Sequence, residues 1–155
     1  MINEKNLIVL NVIGNYNTKV TGISVFKDNK FKCIYDKEKV KNVLLLLKSR
    51  AIITYNAKET IYLIKKEFNI DLNLIIGTHE FLYYFGINEN DQILDLFKKY
   101  TKSRLYDVNV FSIIPREQLE ILLYNKSQFI YEDFEKITNY LKCNATNIKY
   151  YAVDH

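Results

Sequence analysis

Three strand-forming segments follow one another within the first 35 residues, with no room for a helix between them, and this order limits the folds open to the chain. Leu7–Ile13 is a continuous apolar run, typical of a central strand. Lys19–Lys27 and Phe31–Tyr35 follow, separated from each other only by the turn Asp28-Asn29-Lys30. Because short connections join antiparallel neighbours, the sequence predicts an antiparallel three-stranded unit.

From residue 36 onwards, helical and strand patterns alternate. Asp36 and Asn56 are placed to cap two helices, since their side chains accept hydrogen bonds from free N–H groups of a first helical turn. Strands separated by crossover helices pair in parallel. The sequence therefore predicts an α/β fold: a mixed five-stranded sheet, three antiparallel strands and then βαβ units, flanked by helices on both faces. The later predicted elements are strands Ala51–Tyr55 and Leu72–Ile76, helices Lys37–Lys48, Ala57–Phe68, Thr78–Phe85 and Asn90–Tyr100, an irregular stretch or short strand Leu105–Ile114, one or two helices in Glu117–Leu141 after Pro115, and a short strand or exit at Ile148–Val153.

Length and composition exclude several classes of protein. The 155 residues, 18.4 kDa, are the size of one domain, and we interpret residues 1–155 as a single domain. The longest apolar run, Val43–Leu47, is far shorter than the roughly 20 residues of a membrane helix. The opening residues lack the pattern of a signal peptide, so we expect a cytoplasmic protein. Two cysteines are too few for a disulfide scaffold or a cysteine zinc site.

The positions of the glycines and the distribution of charged residues limit the kinds of ligand that the chain can bind. The four glycines, Gly14, Gly22, Gly77 and Gly86, are scattered, which excludes a glycine-rich phosphate-binding loop. Residues 27–66 carry 11 Lys and Arg against 4 Asp and Glu, whereas residues 67–155 carry 9 against 13. The basic stretch includes aromatic residues, which suits a single-strand-binding surface, but it also suits a solvated face in a lysine-rich chain.

Three short segments resemble the motifs of the 3′–5′ exonuclease domain of family A DNA polymerases, the DNA polymerase I type, and their order is similar over nearly the whole chain. In that family the first strand carries an Asp-x-Glu pair, where this chain has Asn11 and Ile13. Ile52–Thr60 resembles the second motif, with Thr60 where the family has Asp. Tyr124 matches the Tyr of the third motif, Tyr-x-x-x-Asp, and Gln128 stands at its Asp position. The resemblance implies a ribonuclease-H-like fold.

The resemblance also implies that this domain has lost its activity. The family hydrolyses phosphodiesters with two metal ions, and hard divalent cations need anionic oxygen ligands. All four matched positions are uncharged, so we expect no metal pair, no cofactor and no nuclease activity. Adjacent helical residues lie about 100° apart, so Glu59 is expected to point away from the site that Thr60 faces.

We therefore interpret the chain as a catalytically inactive exonuclease-like domain, part of a larger polymerase chain and a structural platform beside its polymerase domain. Two alternatives stay open: an active nuclease with at least three clustered carboxylates elsewhere at the strand ends, and a stand-alone module of the same fold that binds single-stranded nucleic acid or a protein. Weak DNA contact is expected at Lys27, Lys30, Lys32, Lys58 and Tyr124.

Overall fold

The sheet has five strands in the order β3-β2-β1-β4-β5. The structure, a computed structural model, describes residues 7–14, 19–78 and 115–143. β1 pairs antiparallel with β2, and β2 with β3, whereas β1–β4 and β4–β5 are parallel. The predicted mixed topology is confirmed. The strands are β1 Ile8–Ile13, β2 Gly22–Lys27, β3 Lys30–Ile34, β4 Ile52–Thr54 and β5 Ile75–Gly77.

The hairpin between β2 and β3 turns on two residues. Asp28 and Asn29 both have positive φ angles, 51° and 61°. Two successive left-handed residues match the twist of a two-residue hairpin, and Asp and Asn tolerate that conformation better than most residues. Because the turn uses two residues and not three, β3 begins at Lys30, one residue before the predicted Phe31.

Two helices, α1 (Lys37–Leu47) and α2 (Ala57–Phe68), begin at the predicted caps. The Lys39 backbone N–H donates to Asp36 Oδ1 at 3.0 Å, and the Glu59 N–H donates to Asn56 Oδ1 at 3.0 Å. α2 ends at Asn69, which adopts the left-handed conformation with φ 55° and donates its N–H to the Lys65 carbonyl. Both predicted capping interactions are confirmed.

The third described helix, α3 (Arg116–Cys143), follows Pro115 as predicted and is one continuous helix of 28 residues. Proline suits this place, because the first helical turn leaves backbone N–H groups without intrahelical partners. The Leu119 N–H already bonds to the Pro115 carbonyl at 2.9 Å. Of the two arrangements left open by the sequence, the single long helix is therefore the one observed.

β1 lies at the centre of three layers. All six of its residues are buried, as its unbroken apolar run predicts. Ile8, Leu10 and Val12 pack in the cluster that includes residues of α1 and α2, whereas Val9 and Ile13 pack toward α3 on the opposite face. Alternate strand residues point to opposite faces, so this division places helices on both sides of the sheet.

Some boundaries differ from the prediction. β2 begins at Gly22 and not at Lys19, and β5 occupies Ile75–Gly77 and not Leu72–Ile76. Leu72 is buried in the core although it lies before the strand, so its apolar character reflects packing alone. No described helix combines the length and apolar character needed to cross a membrane. The predicted segments Asn90–Tyr100, Leu105–Ile114, Ile148–Val153 and all but the first residue of Thr78–Phe85 lie outside the described residues.

Candidate functional site at the ends of the parallel strands

A small pocket of about 70 Å³ opens where β1 and β4 end and where α2 begins. Parallel strands direct their carboxyl ends to the same edge of a sheet, and ligands of α/β proteins commonly bind there. α2 borders the pocket on one side and α3 on the other. The lining residues are Asn11, Val12, Thr54, Tyr55, Asn56, Glu59, Thr60, Leu63 and Lys126.

Asn11, in the middle of β1, joins the sheet to α3. Its side chain is 2% exposed, and its Nδ2 donates to Ser127 Oγ at 3.1 Å. Ser127 Oγ in turn donates to the Leu123 carbonyl at 2.8 Å, so the hydroxyl accepts from one side and donates to the other. A buried amide needs such a partner, because an unpaired polar group away from water costs free energy.

Thr60, on the first turns of α2, is tied to the end of β4. Its Oγ1 donates to the Asn56 carbonyl at 2.9 Å and lies 3.3 Å from Thr54 Oγ1. A hydroxyl has one proton, so with Thr60 donating to the carbonyl, Thr54 is the donor in the second contact. Both hydroxyls are buried. This wall of the pocket is uncharged and its hydrogen bonds are satisfied locally.

The pocket nevertheless contains two charged side chains of opposite sign. Lys126, on α3, is only 4% exposed, which is rare for a lysine. Glu59, on α2, is half-buried; burial raises the pKa of its carboxyl group, and the charge of Lys126 lowers it in part. Both side chains line the same pocket, Glu59 from α2 and Lys126 from α3.

The structure brings together two of the four positions matched to exonuclease carboxylates. Asn11 and Thr60 line the same pocket. Ile13 instead packs in an apolar cluster with Leu119 and Leu123. Gln128 is also outside the pocket: its Nε2 donates to the Tyr124 hydroxyl at 2.9 Å.

Lys126 and Ser127 therefore hold the place on α3 that the sequence alignment gave to Gln128. A signal for this was present in the sequence, because apolar residues on α3 recur at Leu119, Leu123, Ile130 and Phe134. This spacing places residues 126 and 127 on the buried stripe and residue 128 beside it.

Glu59 does line the pocket, contrary to the expectation that it points away from it. Asn56, Glu59, Thr60 and Leu63 follow the spacing i, i+3, i+4, i+7, which marks one face of a helix. Such a face is at least about 100° wide, so two adjacent residues can border the same cavity. The angle of about 100° between adjacent helical residues therefore does not remove Glu59 from the pocket that Thr60 lines, and the expectation was wrong.

The donor set does not fit the metal pair of a two-metal nuclease. Hard divalent cations require several oxygen ligands, with carboxylates supplying the negative charge. The pocket is lined by one carboxylate, Glu59, and also by Lys126, whose charge lowers the pKa of that carboxyl group in part. Among the described residues no three His, Cys, Asp or Glu side chains are grouped so as to hold a metal ion. The carboxylate cluster expected of an active nuclease is thus not found in the part of the chain that the structure describes.

The residues predicted to contact DNA do not share one face. The pairing register places Lys27, Lys30 and Lys32 on the side of the sheet covered by α1 and α2. Tyr124 lies on the other side, where its ring meets Phe26 and Phe31 edge-on at centroid distances of 6.1 and 5.5 Å. Lys58 is exposed on the first turn of α2.

A second polar group joins β3 to the start of α3, away from the pocket. The Tyr35 hydroxyl donates to Glu120 Oε1 at 3.1 Å, and the Arg116 guanidinium lies 3.9 Å from the centroid of the Tyr35 ring. Burial raises the pKa of the neighbouring Cys33 thiol to about 11, with the Glu120 charge adding to the effect. A thiol with such a pKa is protonated at neutral pH, so the cluster is structural rather than nucleophilic.

Comparisons with known proteins bear on the fold. No family model matches the sequence, and no curated protein matches it significantly. Among solved structures, the catalytic core of RRP6 from Trypanosoma brucei is similar, with a TM-score of 0.63 at 12% sequence identity. The match covers 96% of this chain but only 45% of the RRP6 chain. Together with the strand order, this likeness shows that the chain has a ribonuclease-H-like α/β fold.

Proposed function

We propose that the chain is a catalytically silent 3′–5′ exonuclease-like domain that serves as a structural platform. One observation carries this proposal: a buried lysine, Lys126, lines the pocket at the strand ends together with the neutral side chains of Asn11 and Thr60. An active site of the two-metal type needs the opposite charge there.

Coulomb's law gives the size of the interaction between charges in such a pocket. Two unit charges 4 Å apart interact by about 4 kcal/mol at the effective dielectric constant of 20 that suits sites near a protein surface, and a divalent ion doubles this. A metal ion entering the pocket would be repelled by the Lys126 ammonium and attracted by the Glu59 carboxylate, so these two side chains together supply no net negative charge to hold it. A divalent cation would therefore lack the anionic oxygen ligands that it requires.

The test is a nuclease assay with the purified chain. Single-stranded DNA and RNA labelled at the 5′ end are incubated with magnesium or manganese, with a chelator as control. We expect no metal-dependent shortening from the 3′ end. Shortening that follows the protein through successive purification steps, and that stops in Glu59→Gln, would overturn the proposal.

The narrower proposal is that this platform belongs to a DNA polymerase I, beside a polymerase domain that does the main DNA binding in replication or repair. It is supported by the resemblance of the segments around Asn11, Thr60 and Tyr124 to the three motifs of that family. Sequencing the natural gene across the codon for His155 tests it: a polymerase-coding region downstream is expected, and a stop codon or an unrelated domain would contradict it.

The second candidate is a stand-alone module that binds single-stranded nucleic acid or a protein. It is favoured by the three lysines, Lys27, Lys30 and Lys32, on one face of the β2–β3 hairpin. Binding of a labelled single strand measured by fluorescence anisotropy separates the two candidates. Sub-micromolar affinity that persists at high salt would favour the module, because contacts with phosphates alone weaken steeply as salt rises.

A further inference from the structure

β3 is the outermost strand on one side of the described sheet, where it pairs only with β2. Lys27 and Lys30 flank the two-residue turn and form the hydrogen-bonded pair that closes the hairpin. Because bonded and non-bonded pairs alternate along an antiparallel ladder, Lys32 also directs its backbone groups toward β2, whereas Phe31 and Cys33 direct theirs outward. Within the described part of the chain, these outward N–H and C=O groups have no backbone partner.

A groove of about 430 Å³ lies beside this edge, between β3 and α1. Buried Ile34 and half-buried Val43 supply apolar surface to it, and Lys32 and Lys39 line it from the strand and from the helix. Both lysines are exposed, and neither forms an ion pair with another described residue. Asp36, a carboxylate that also lines the groove, accepts the Lys39 backbone N–H. The groove therefore combines apolar surface with a net positive charge.

We propose that the outer edge of β3 binds an extended segment of a partner protein in which acidic and apolar residues alternate, so that the segment adds a strand to the sheet. Strand addition to an open sheet edge is a recurrent mode of peptide recognition. Main-chain hydrogen bonds supply the affinity, and pockets for alternate side chains supply the specificity. This inference goes beyond the proposed function, because it concerns another surface and does not depend on whether the pocket at the strand ends is silent.

The two faces of β3 determine the side-chain pattern of the bound segment. Lys30 and Lys32 lie on the face toward α1, whereas Phe31 and Cys33 lie on the face toward α3. In an antiparallel addition, the residue opposite Lys32 belongs to a non-hydrogen-bonded pair, in which side chains approach most closely. An acidic residue there meets Lys32 directly and has Lys39 on the other side of the groove. The residues opposite Phe31 and Cys33 are apolar, because both contact the partly buried cluster against α3.

The same edge is less suited to a second copy of this chain or to a nucleic acid. In the antiparallel register that overlaps all five residues of β3, Lys32 of one copy lies directly opposite Lys32 of the other. Like charges in that position destabilise a sheet, and lysines on edge strands commonly prevent such pairing. The phosphates of a nucleic acid accept hydrogen bonds only, whereas the edge presents donors and acceptors alternately, as a peptide strand does.

The first experiment measures, by fluorescence anisotropy, the binding of a short labelled peptide of alternating glutamate and valine to the whole chain. In the proposed register the valine amides point toward β3 and the glutamate amides point away from it. Methylating the valine amide nitrogens is therefore expected to weaken binding about 10-fold or more, whereas methylating those of the glutamates leaves it unchanged. The two methylated peptides have the same charge and composition. Equal affinity of these two peptides overturns the inference.

Variants of the chain locate the binding site. Cys33→Pro removes an outward N–H but no bond to β2, a position at which a sheet tolerates proline, and Cys33→Ala is its matched control. We expect Cys33→Pro to bind the peptide about 10-fold or more weakly than Cys33→Ala. Lys32→Gln with Lys39→Gln should weaken binding about fivefold, whereas Lys41→Gln with Lys48→Gln, exposed outside the groove, should not. A folded Cys33→Pro protein that binds as tightly as Cys33→Ala overturns the inference.

A second measurement on the unaltered chain covers the case in which Cys33→Pro does not fold. Amide hydrogen exchange is followed by NMR with and without saturating peptide. The peptide is expected to protect the amides of Phe31 and Cys33 and to change that of Lys32 less, because the Lys32 N–H already bonds to β2. Unchanged exchange at Phe31 and Cys33 overturns the inference. Protection of these two amides by self-association of the chain or by single-stranded DNA, but not by the peptide, also overturns it.

Discussion

At the residue scale, the neutral side chains of the pocket make hydrogen bonds that connect elements of the fold. Asn11 links the central strand to α3 through Ser127, and Thr60 links α2 to β4 through Thr54. A carboxylate at either position accepts hydrogen bonds only, so it could not replace the hydrogen bonds that Asn11 Nδ2 and Thr60 Oγ1 donate. It would also add a negative charge to the pocket, and the Lys126 ammonium would neutralise that charge only in part. Hydrogen bonds between the side chains of these described residues therefore hold this part of the pocket together.

Asn11→Ala tests the link between sheet and helix. It removes a buried hydrogen bond and leaves a small cavity, so the free energy of unfolding should fall by about 2 kcal/mol in urea denaturation. Ser24→Ala, at the paired position on β2, is the control, because Ser24 Oγ is buried and has no hydrogen-bond partner in the described part of the chain. Its removal should cost less than about 0.5 kcal/mol. Equal losses in the two variants would contradict this account.

Cys33 should react slowly with thiol reagents. Its pKa is raised from 9.0 to about 11 by burial, so at pH 8 the thiolate population is roughly 100-fold smaller than in the unfolded chain. The alkylation rate with iodoacetamide, measured in a Cys143→Ser background, should rise by at least that order on addition of urea. Equal rates in folded and unfolded protein would show that Cys33 is not buried.

The same pKa shift has a consequence for stability against pH. A thiol whose pKa is raised in the folded state keeps its proton there more tightly than in the unfolded chain. Its contribution to stability is therefore complete below pH 9 and is lost as pH rises from about 9 to 11. Tyr35, whose pKa is also raised, chiefly by burial, acts in the same direction. The melting temperature should fall over this range more steeply than in Cys33→Ala.

The strand pattern places Asn11 on β1, and the cap Asn56 places Thr60 on the first turns of α2; both residues line the pocket. The match of Gln128 to the Asp of the third motif rests on two positions of a long helix. A shift of one or two residues along a helix turns a side chain by 100° to 200°. The stripe of apolar residues on α3, rather than the motif, contained the information needed to choose Lys126 and Ser127.

At the element scale, Gly22 at the start of β2 lies directly against the end of β3. A Cβ atom there would lie 2.7 Å from the Ile34 carbonyl oxygen and 3.0 Å from the Tyr35 ring. The first contact is with backbone, which cannot move aside without disturbing the ladder. Gly22→Ala should therefore destabilise the fold by about 1–3 kcal/mol, the usual cost of overpacking. An unchanged urea midpoint would show that the two strands are not packed this closely.

The order and type of the described elements followed from sequence, but their ends did not. Alternating and continuous apolar runs gave all five strands, and Asp36, Asn56 and Pro115 gave the starts of the three helices. Strand ends depend on which backbone groups find partners. The Asn73 N–H, for example, donates to the Lys48 carbonyl and not to a strand, whereas the carbonyl of the next residue, Leu74, accepts from the Ile52 N–H of β4. No pattern in the sequence predicts that partner.

At the scale of the whole molecule, charge and shape together predict weak binding to nucleic acid. The basic residues near the β2–β3 hairpin face away from Tyr124, whose ring is engaged with Phe26 and Phe31. Contacts would therefore be with phosphates and not by base stacking, and affinity for a single strand should fall steeply between 50 and 200 mM salt. The triple variant Lys27→Glu, Lys30→Glu, Lys32→Glu should flatten that salt dependence.

A charge-matched control distinguishes binding through the β2–β3 hairpin from binding through the overall charge of the chain. The same three exchanges made at exposed helical lysines, Lys41, Lys48 and Lys66, alter the net charge equally but leave the hairpin unchanged. If both triple variants lose affinity to the same extent, binding reflects overall charge and the hairpin has no special part in it.

The central proposal is that the pocket of this ribonuclease-H-like fold does not accept a divalent metal ion, and paramagnetic manganese tests it most directly. Manganese broadens the amide signals of residues near its binding site in a ¹H–¹⁵N NMR spectrum. The account predicts that, as manganese is added, the signals of Asn11, Thr60 and Ser127 broaden no more than those of exposed residues on α1. Selective loss of those three signals at low manganese concentration, reversed by a chelator, would contradict it.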